Sequence, residues 1–325
     1  MSKAIRIHQY GGPEALRWEE VEVSDPGPGQ IRIRQSAVGL NYIDVYHRTG
    51  LYPLPSLPWT LGMEGAGRVE AVGAGVTELQ VGDRVAYASP PVGAYAEVRL
   101  IAADRVVALP EAIDDQTAAA MMLQGMTAQY LLRRTYPVRP GDAVLLHAAA
   151  GGVGLIASQW ARQLGATVIG TVGSDDKAEL ARAHGCHHVI VYTRENFVER
   201  VRDITNGQGV AVVYDSVGQA TFMGSLDCLR PLGMIVSFGN ASGPVQSFDP
   251  GLLAAKGSLF LTRPTLMTYT AQRADLAASA AELFQVVASG AVRIEVRQTY
   301  PLAEAAQAHR DLEARKTTGS TVLLP

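Results

Sequence analysis

Between Ala143 and Thr262, apolar strand-like runs alternate with helix-like runs, and this alternation restricts the fold more than any other feature of the chain. Ala143–His147, Thr167–Val172, Val189–Tyr192, Ala211–Tyr214 and Met234–Phe238 read as strands, with Leu259–Thr262 as one more at a sheet edge. Gly154–Leu164, Asp175–Ala183, Asn196–Ile204 and Thr221–Leu229 read as the helices between them. Strands joined through a helix run parallel, so the pattern predicts an α/β fold built on a doubly wound parallel sheet.

The flanks follow other rules. At 325 residues the chain suits two domains. Ser24-Asp-Pro-Gly-Pro-Gly29 is a turn cluster, after which Gln30–Val38 alternates as a strand. Leu51–Pro58 is a proline-rich loop that cannot continue a helix. Ala66–Val76 and Asp83–Val85 read as further strands, with Gly73 and Gly75 at a sharp turn. This front part predicts a compact, mostly antiparallel β unit. Asp115–Arg134 reads as a helix, or as two helices broken at Gly125. Beyond Pro264 come a long Ala-rich helix over Ala271–Ser289 ended by Gly290, a strand at Val292–Gln298, a helix at Leu302–Arg315 and a last strand at Thr321–Leu324. Neither flank is large enough to bury a good core alone, so the tail is expected to return and complete the first domain. The expected boundaries are 1–121, 122–263 and 264–325.

The totals exclude several classes. A formal net charge of −3 argues against a nucleic-acid partner, since phosphate binders carry a basic excess. Cys186 and Cys228 cannot form a disulfide framework and read as reduced thiols. The first residues lack the apolar run of a secretory leader, and the most apolar stretch is too short to cross a bilayer. A cytoplasmic protein with no membrane partner is expected.

The strongest local signal is Val144-Leu-Leu-His-Ala-Ala-Ala-Gly-Gly-Val-Gly154, which follows one predicted strand and opens one predicted helix. That is the context a dinucleotide fingerprint requires. Ala149 takes the first glycine position, and Gly151 and Gly154 hold the others. Gly151 lets the backbone approach a pyrophosphate, Gly154 lets helix and strand pack closely, and the helix start supplies N–H groups. An NAD site usually ends its second strand with an acid for the ribose 2′-OH. Here that strand ends Gly170-Thr-Val-Gly-Ser174. Asp175 and Asp176 follow, and read as helix-start acids. Gly173 and Ser174 leave room and donors for a 2′-phosphate, Lys177 can reach it, and Tyr192 can close over the adenine side. The coenzyme expected is NADPH. His147 reads as filling its strand.

With these residues in view, the chain resembles the medium-chain dehydrogenase/reductase superfamily and, more narrowly, the quinone oxidoreductases related to zeta-crystallin. The matching segments are Gly11-Gly-Pro13, Gly39-Leu-Asn-Tyr-Ile-Asp44, Gly50-Leu-Tyr-Pro53, Leu61-Gly-Met-Glu-Gly-Ala-Gly67 and Val81-Gly-Asp-Arg-Val85. They continue through the glycine loop, Tyr214-Asp-Ser-Val-Gly218, Ser237-Phe-Gly-Asn240 and Pro301-Leu-Ala-Glu-Ala305, in order along nearly the whole chain. The resemblance implies a GroES-like, mostly antiparallel catalytic domain made from both chain ends, a Rossmann domain between them, and a homodimer joined through the Rossmann sheet edges. It also implies coenzyme contacts at Tyr42, Ile43, Asp44, Gln124, Thr127, Gly152, Val153, Ser216, Phe238, Gly239 and Asn240. Asn41 and Met63 stand where zinc-dependent relatives carry a Cys and a His, and two cysteines cannot build a four-cysteine zinc lobe. No metal is therefore expected. Gln124 stands where relatives often carry Lys, so it brings no cation to the coenzyme.

Quinone reduction needs little acid catalysis, because the carbonyls accept electron density readily. The protein's task is positioning. Asn41, Tyr46, Tyr52, Asn240 and Arg263 are the expected catalytic lining, Tyr52 by stacking or hydrogen bonding and the others by orienting or polarising oxygens. Two rival functions remain open. One is an NADPH-dependent alkenal or enone reductase, and the other an NADPH-binding protein with a nucleic-acid or structural role.

Overall fold

The computed structural model describes residues 1–325. The chain divides into two units, one comprising Met1–Met126, Thr270–Ala288 and Ile294–Pro325, the other Thr127–Tyr269 and Ser289–Arg293.

The second unit carries a six-stranded sheet in the order His188–Val191, Thr167–Val172, Ala143–Leu146, Val210–Asp215, Leu229–Ser237 and Phe260–Thr262. Every neighbouring pair is parallel. The strand first in sequence lies inside the sheet, with the second strand on one side and the fourth on the other. Such a reversal of strand order opens a crevice at the carboxyl ends of the strands. The strands read as continuous apolar runs because helices cover both faces, and Val210–Asp215 is buried along its whole length. Leu145, Ile169, Ile190, Val213 and Ile235, one from each of five strands, form the core with Val201, Phe222 and Leu226.

The helices start where the sequence supplies caps. Ser174 accepts the Lys177 N–H at the start of Asp175–Ala183, and Asn196 accepts those of Val198 and Glu199 at the start of Phe197–Ile204. The helix Gly152–Gln163 has no side-chain cap. Gly154, in its first turn, is pressed against the preceding loop. A Cβ there would collide with the Ala148 carbonyl and lie 2.8 Å from the Ala149 Cα.

The first unit is a β structure completed by the tail, as expected. Its larger sheet runs Val296–Pro301, Ser320–Leu324, Gln30–Leu40, Glu64–Val72, Arg84–Ala88 and Val107–Ala108, with Val98–Ala102 also paired to Gln30–Leu40. Ser320–Leu324 lies antiparallel to Gln30–Leu40, with Leu323 opposite Val38. Leu302, Ala305, Ala308 and Leu323 of the tail share one core with Ile5, Ile31, Ile33, Leu61, Val85 and Tyr95. A smaller sheet joins Arg17–Val21, Ser2–Ile7 and Trp59–Thr60.

Several expectations need correction. The helical run after residue 114 breaks at Ala120–Met121, between Asp115–Ala119 and Met122–Tyr130. There the Ala120 and Met121 N–H groups fold back to the carbonyls of Thr117 and Ala118. Gly125 sits inside the second helix, where Leu283 occupies the space of a Cβ, 2.5 Å away. The proposed strand at 66–76 is Glu64–Val72, that at 292–298 is Val296–Pro301, and 302–315 divides into a 3-10 turn and the helix Ala305–Glu313. The helix Tyr42–Thr49 was not anticipated; Gly50, at φ 82°, ends it. The units divide about five residues later than expected. Leu123 and Gln124 are bonded to Glu64 and Asn41 of the first unit, and the Tyr269 ring stacks on Tyr130 of the second at 4.5 Å.

Replacing Gly154→Ala forces a methyl into backbone. The variant should lose about 1–3 kcal/mol, seen as a lower urea midpoint. An unchanged midpoint would show that the helix start can shift freely.

Candidate functional site

In the second unit the loop after Ala143–Leu146 is held on both sides. The His147 N–H donates to the Tyr214 carbonyl at 3.1 Å, and the Ala149 N–H to that of Thr171 at 3.1 Å. Ala148 adopts φ 54°, a left-handed conformation that an alanine tolerates at some cost. Gly151, extended at φ −82° and ψ 173°, opens the helix. The first-turn N–H groups, Gly152 and Val153 among them, lack intrahelical acceptors and carry the positive end of the helix dipole. The loop can therefore hold a phosphate-bearing ligand.

His147 is fully occupied. Its Nδ1 meets Thr171 Oγ1 at 2.8 Å, and its Nε2 meets Ser225 Oγ at 3.0 Å. Burial holds its pKa below 6.5, with the Asp215 carboxylate pulling the other way. It is part of the strand's packing, as the sequence suggested.

Asp215 was not singled out, yet it organises the neighbouring loops. Its carboxylate accepts the N–H groups of Val217 and Gly218 at 2.8 and 3.0 Å, and the hydroxyls of Thr221 and Ser225. Residues 216–218 are then laced to 238–243. Phe238 N–H donates to the Asp215 carbonyl, Ala241 N–H to that of Ser216 and Ser242 N–H to that of Val217. Gly239 is needed because a Cβ would strike the Ser216 backbone, 2.9 Å from its Cα. Ser216, Phe238, Gly239 and Asn240 are thereby brought together. Arg263 donates to the Ser237 carbonyl at 3.1 Å, at the same end of the sheet. Thr127 is buried.

At the tip of the second strand, Ser174 caps the next helix and is exposed, and Tyr192 is 43% exposed. The Tyr192 hydroxyl lies 2.8 Å from where a Gly173 Cβ would be, so glycine makes room for it. Arg194 forks onto Asp175 at 2.6 and 2.7 Å, which holds that carboxyl below its usual range. The acid nearest the strand tip is thus paired with a cation that the sequence reading missed.

In the first unit, Asn41 begins the helix Tyr42–Thr49, and Asp44 accepts its N–H at 2.9 Å. Tyr42 and Tyr46 have ring centroids 5.5 Å apart at 58°, and Tyr46 and Tyr52 5.2 Å apart and edge-on at 66°, so the three form a tilted aromatic cluster around the buried Tyr46. Ile43 is half-buried beside them. Asp44, expected at the coenzyme, is wholly enclosed. It also accepts the Tyr95 hydroxyl at 3.0 Å, so any effect on a ligand runs through the helix start that it fixes. Tyr95 in turn meets His309 Nε2 at 3.0 Å, and His309 Nδ1 meets the buried Arg48, which forks onto Glu313. Since Tyr95 gives its proton to Asp44, His309 must donate from Nε2 and accept from Arg48 at Nδ1.

Glu64 is also wholly buried. It accepts the Asn41 side-chain amide at 2.6 Å and the Leu123 N–H at 2.8 Å. Gln124 donates to Asn41 Oδ1 at 3.0 Å. Burial pushes Asp44 up to about 7 and Glu64 up to about 8, and pushes His309 down to about 3. Met63 is buried, and no three His, Cys, Asp or Glu side chains converge as a metal site.

Comparison with known proteins places this geometry. The family model described as zinc-binding dehydrogenase matches residues 152–284, and that of the alcohol dehydrogenase GroES-like domain matches 27–111. A quinone oxidoreductase of Pseudomonas aeruginosa is 55% identical over 325 residues, covering all of both chains. A 2-haloacrylate reductase of a Burkholderia species is 50% identical, covering all of this chain and 99% of its own. The crystal structure of Escherichia coli quinone oxidoreductase complexed with NADPH superimposes with a TM-score of 0.98 at 50% identity, covering 99% of this chain and all of that one.

The buried acids give stability a defined pH dependence. Asp44 and Glu64 have folded pKa values above their unfolded ones. Their favourable contribution is full at low pH and is lost as pH rises through about 7 and 8. His309 acts oppositely, its contribution being present above its unfolded pKa and lost as pH falls toward about 3. Glu64→Gln removes one titration. Its melting temperature relative to wild type should climb between about pH 4.5 and pH 8 and level off above. A difference that stays flat would mean that folding does not raise the Glu64 pKa.

Proposed function

Because the chain belongs to the quinone oxidoreductase family of the medium-chain dehydrogenase/reductase superfamily, we propose that it reduces quinones with NADPH and without a metal ion. The observation that carries this reading is the full-length match, at 55% identity, to a quinone oxidoreductase.

The residues present fit NADPH. Gly152 and Val153 offer unspent N–H groups to the pyrophosphate from a loop whose Ala149 is packed tight, while Gly151, its own N–H given to the Ala148 carbonyl, lets the backbone approach. The second strand ends in Gly173 and the exposed Ser174 rather than in an acid; Lys177 follows in the next helix and the Tyr192 hydroxyl lies against Gly173, and both are assigned to a 2′-phosphate. Asp175 is forked by Arg194, which offsets the repulsion its carboxylate would exert on that phosphate. When bound, the coenzyme supplies the hydride.

The protein's own residues bind and orient. Asp215 holds Ser216, Phe238, Gly239 and Asn240 in one laced pair of loops, which we assign to the nicotinamide half, with Thr127 beside the ribose. Asn41, Tyr46 and Tyr52 in the first unit, and Asn240 and Arg263 in the second, are assigned to the substrate. Tyr52, half-buried and edge-on to Tyr46, suits a flat ring by stacking or hydrogen bonding, and the Asn41 amide suits a carbonyl oxygen. The metal-free reading rests on donor chemistry. Asn41 is an amide whose oxygen and one N–H are engaged by Gln124 and Glu64, and a buried thioether stands at Met63.

A second reading, reduction of an activated C=C bond, is favoured by the 50% identity to a 2-haloacrylate reductase. Turnover of NADPH against 1,4-benzoquinone, a 2-alkenal and a 2-haloacrylate, each with a chelator present, separates the two. The proposal expects quinone turnover to dominate and to ignore the chelator. Dominant alkene turnover would favour the second reading.

We also propose a cytoplasmic homodimer. In its support, both cysteines are buried and unpaired, and the outer strand Phe260–Thr262 exposes Phe260 and Leu261. Sedimentation equilibrium returning a monomer mass would remove the dimer. Lys177→Ala should raise KM for NADPH about tenfold or more while leaving that for NADH nearly unchanged. If both rise alike, Lys177 does not meet the 2′-phosphate.

A further inference from the structure

Four buried side chains of the first unit are tied end to end. Ser320 Oγ donates to Gln124 Oε1 at 2.7 Å, Gln124 Nε2 to Asn41 Oδ1 at 3.0 Å, and Asn41 Nδ2 to Glu64 Oε2 at 2.6 Å. None of the four is more than 7% exposed. Each amide in the middle presents an oxygen on one side and an N–H on the other, so the bonds must all run in one sense. A half-turn of both amides reverses them.

Both ends accept the reversal. Ser320 Oγ lies within hydrogen-bond distance of the Ala120 carbonyl, at 2.9 Å, as well as of Gln124. One hydroxyl proton cannot serve both, so in the reversed sense Ser320 donates to Ala120 and accepts from Gln124. At the other end the reversed sense needs a proton on Glu64 Oε2, donated to Asn41 Oδ1. The sense of the whole chain is therefore coupled to one proton on one acid.

We propose that Glu64 is a positioning residue, which through the Asn41–Gln124–Ser320 chain dictates where Asn41 holds its remaining N–H. This rests on the assignment of Asn41 to the substrate. With Glu64 ionised, the unspent N–H of Asn41 lies at the Glu64 end of the amide. With Glu64 protonated, it moves to the Gln124 end, about 2 Å away. A displacement of that size is enough to cost a substrate its alignment.

The surroundings allow this acid to change state. It faces the carboxyl of Asp44 from the helix Tyr42–Thr49, the phenol of Tyr87 from Arg84–Ala88, the phenol of Tyr95, and the N–H groups of Leu123 and Met122. None of these is a cation. Gln124, the nearest polar side chain beyond Asn41, is neutral. Glu64 accordingly sits at about 8 rather than near 4.5. Gly39 leaves the space it occupies, since a Cβ there would strike the carboxylate, 2.8 Å from its Cδ.

Glu64→Gln tests the proposal at nearly constant shape. The Leu123 N–H claims the new carbonyl, which turns an NH2 toward Asn41 and locks the chain in the reversed sense. With 1,4-benzoquinone and NADPH, kcat should fall about tenfold or more while KM for NADPH stays within about twofold. Wild-type kcat should rise through weakly alkaline pH, and the variant's should not. An unchanged kcat and pH profile overturns the proposal. Asn41→Ala distinguishes the two layers. If it lowers quinone turnover and Glu64→Gln does not, only the positioning role fails; if Asn41→Ala has no effect, the substrate assignment fails and takes the proposal with it. Should Glu64→Gln not fold, Ser320→Ala unties the far end and keeps the acid. It should lower kcat several-fold at steady KM for NADPH, and an unchanged kcat overturns the proposal by that route.

Discussion

The close approach of Gly154 to the Ala148 carbonyl is the constraint from which the second unit follows. A helix can begin that near its own strand only if the first turn carries no side chain there. Ala148 absorbs the turn with a positive φ, and the N–H groups of residues 152 and 153 are left without intrahelical acceptors. The parallel sheet then brings the ends of its other strands to the same rim, where Gly173, Ser216 and Phe238 emerge. Asp215 completes the arrangement. One buried carboxylate, saturated by two backbone N–H groups and two hydroxyls, fixes the loop that positions a second loop. A carboxylate so satisfied is tolerable in the interior, whereas any one of its donors left alone would carry a desolvation cost.

The first unit solves a different problem with similar means. Two acids, Asp44 and Glu64, are enclosed without a cation against either carboxyl. Burial drives both pKa values upward. Such an arrangement subtracts from stability at neutral pH. What it gains is orientation, because every polar atom of Asn41 is assigned a partner or a direction. The Asn41 amide is held in place by hydrogen bonds to Glu64 and Gln124.

Much of the architecture was legible because it rests on local periodicity. The helix Asp175–Ala183 and the strand Thr167–Val172 emerge with the ends expected, since caps and β-branched runs mark them. The glycine loop was legible for the same reason. What escaped the sequence depends on partners far away in the chain. Glu64 and Asp215 lay inside recognised motifs, yet their roles are set by Asn41, Leu123, Thr221 and Ser225. Arg194 became relevant only once the third strand carried it beside Asp175. The break at Ala120 was missed because Gly125 looked the weaker point; Leu283 fills the space beside Gly125 and keeps it helical. The helix Tyr42–Thr49 did carry signals, an Asn and an Asp three residues apart and a Gly at its end, which the proline-rich loop after it obscured.

The central claim is that the glycine-bearing loop and the strand tip beside it hold a coenzyme with a 2′-phosphate. Calorimetric titration of the intact protein with NADPH and with NADH, at low and raised salt, tests it without requiring turnover. The account predicts one NADPH bound per chain, binding tighter than NADH by about tenfold or more, and an advantage that shrinks as salt screens the phosphate. Equal affinity for the two coenzymes, or no heat with either, would contradict it.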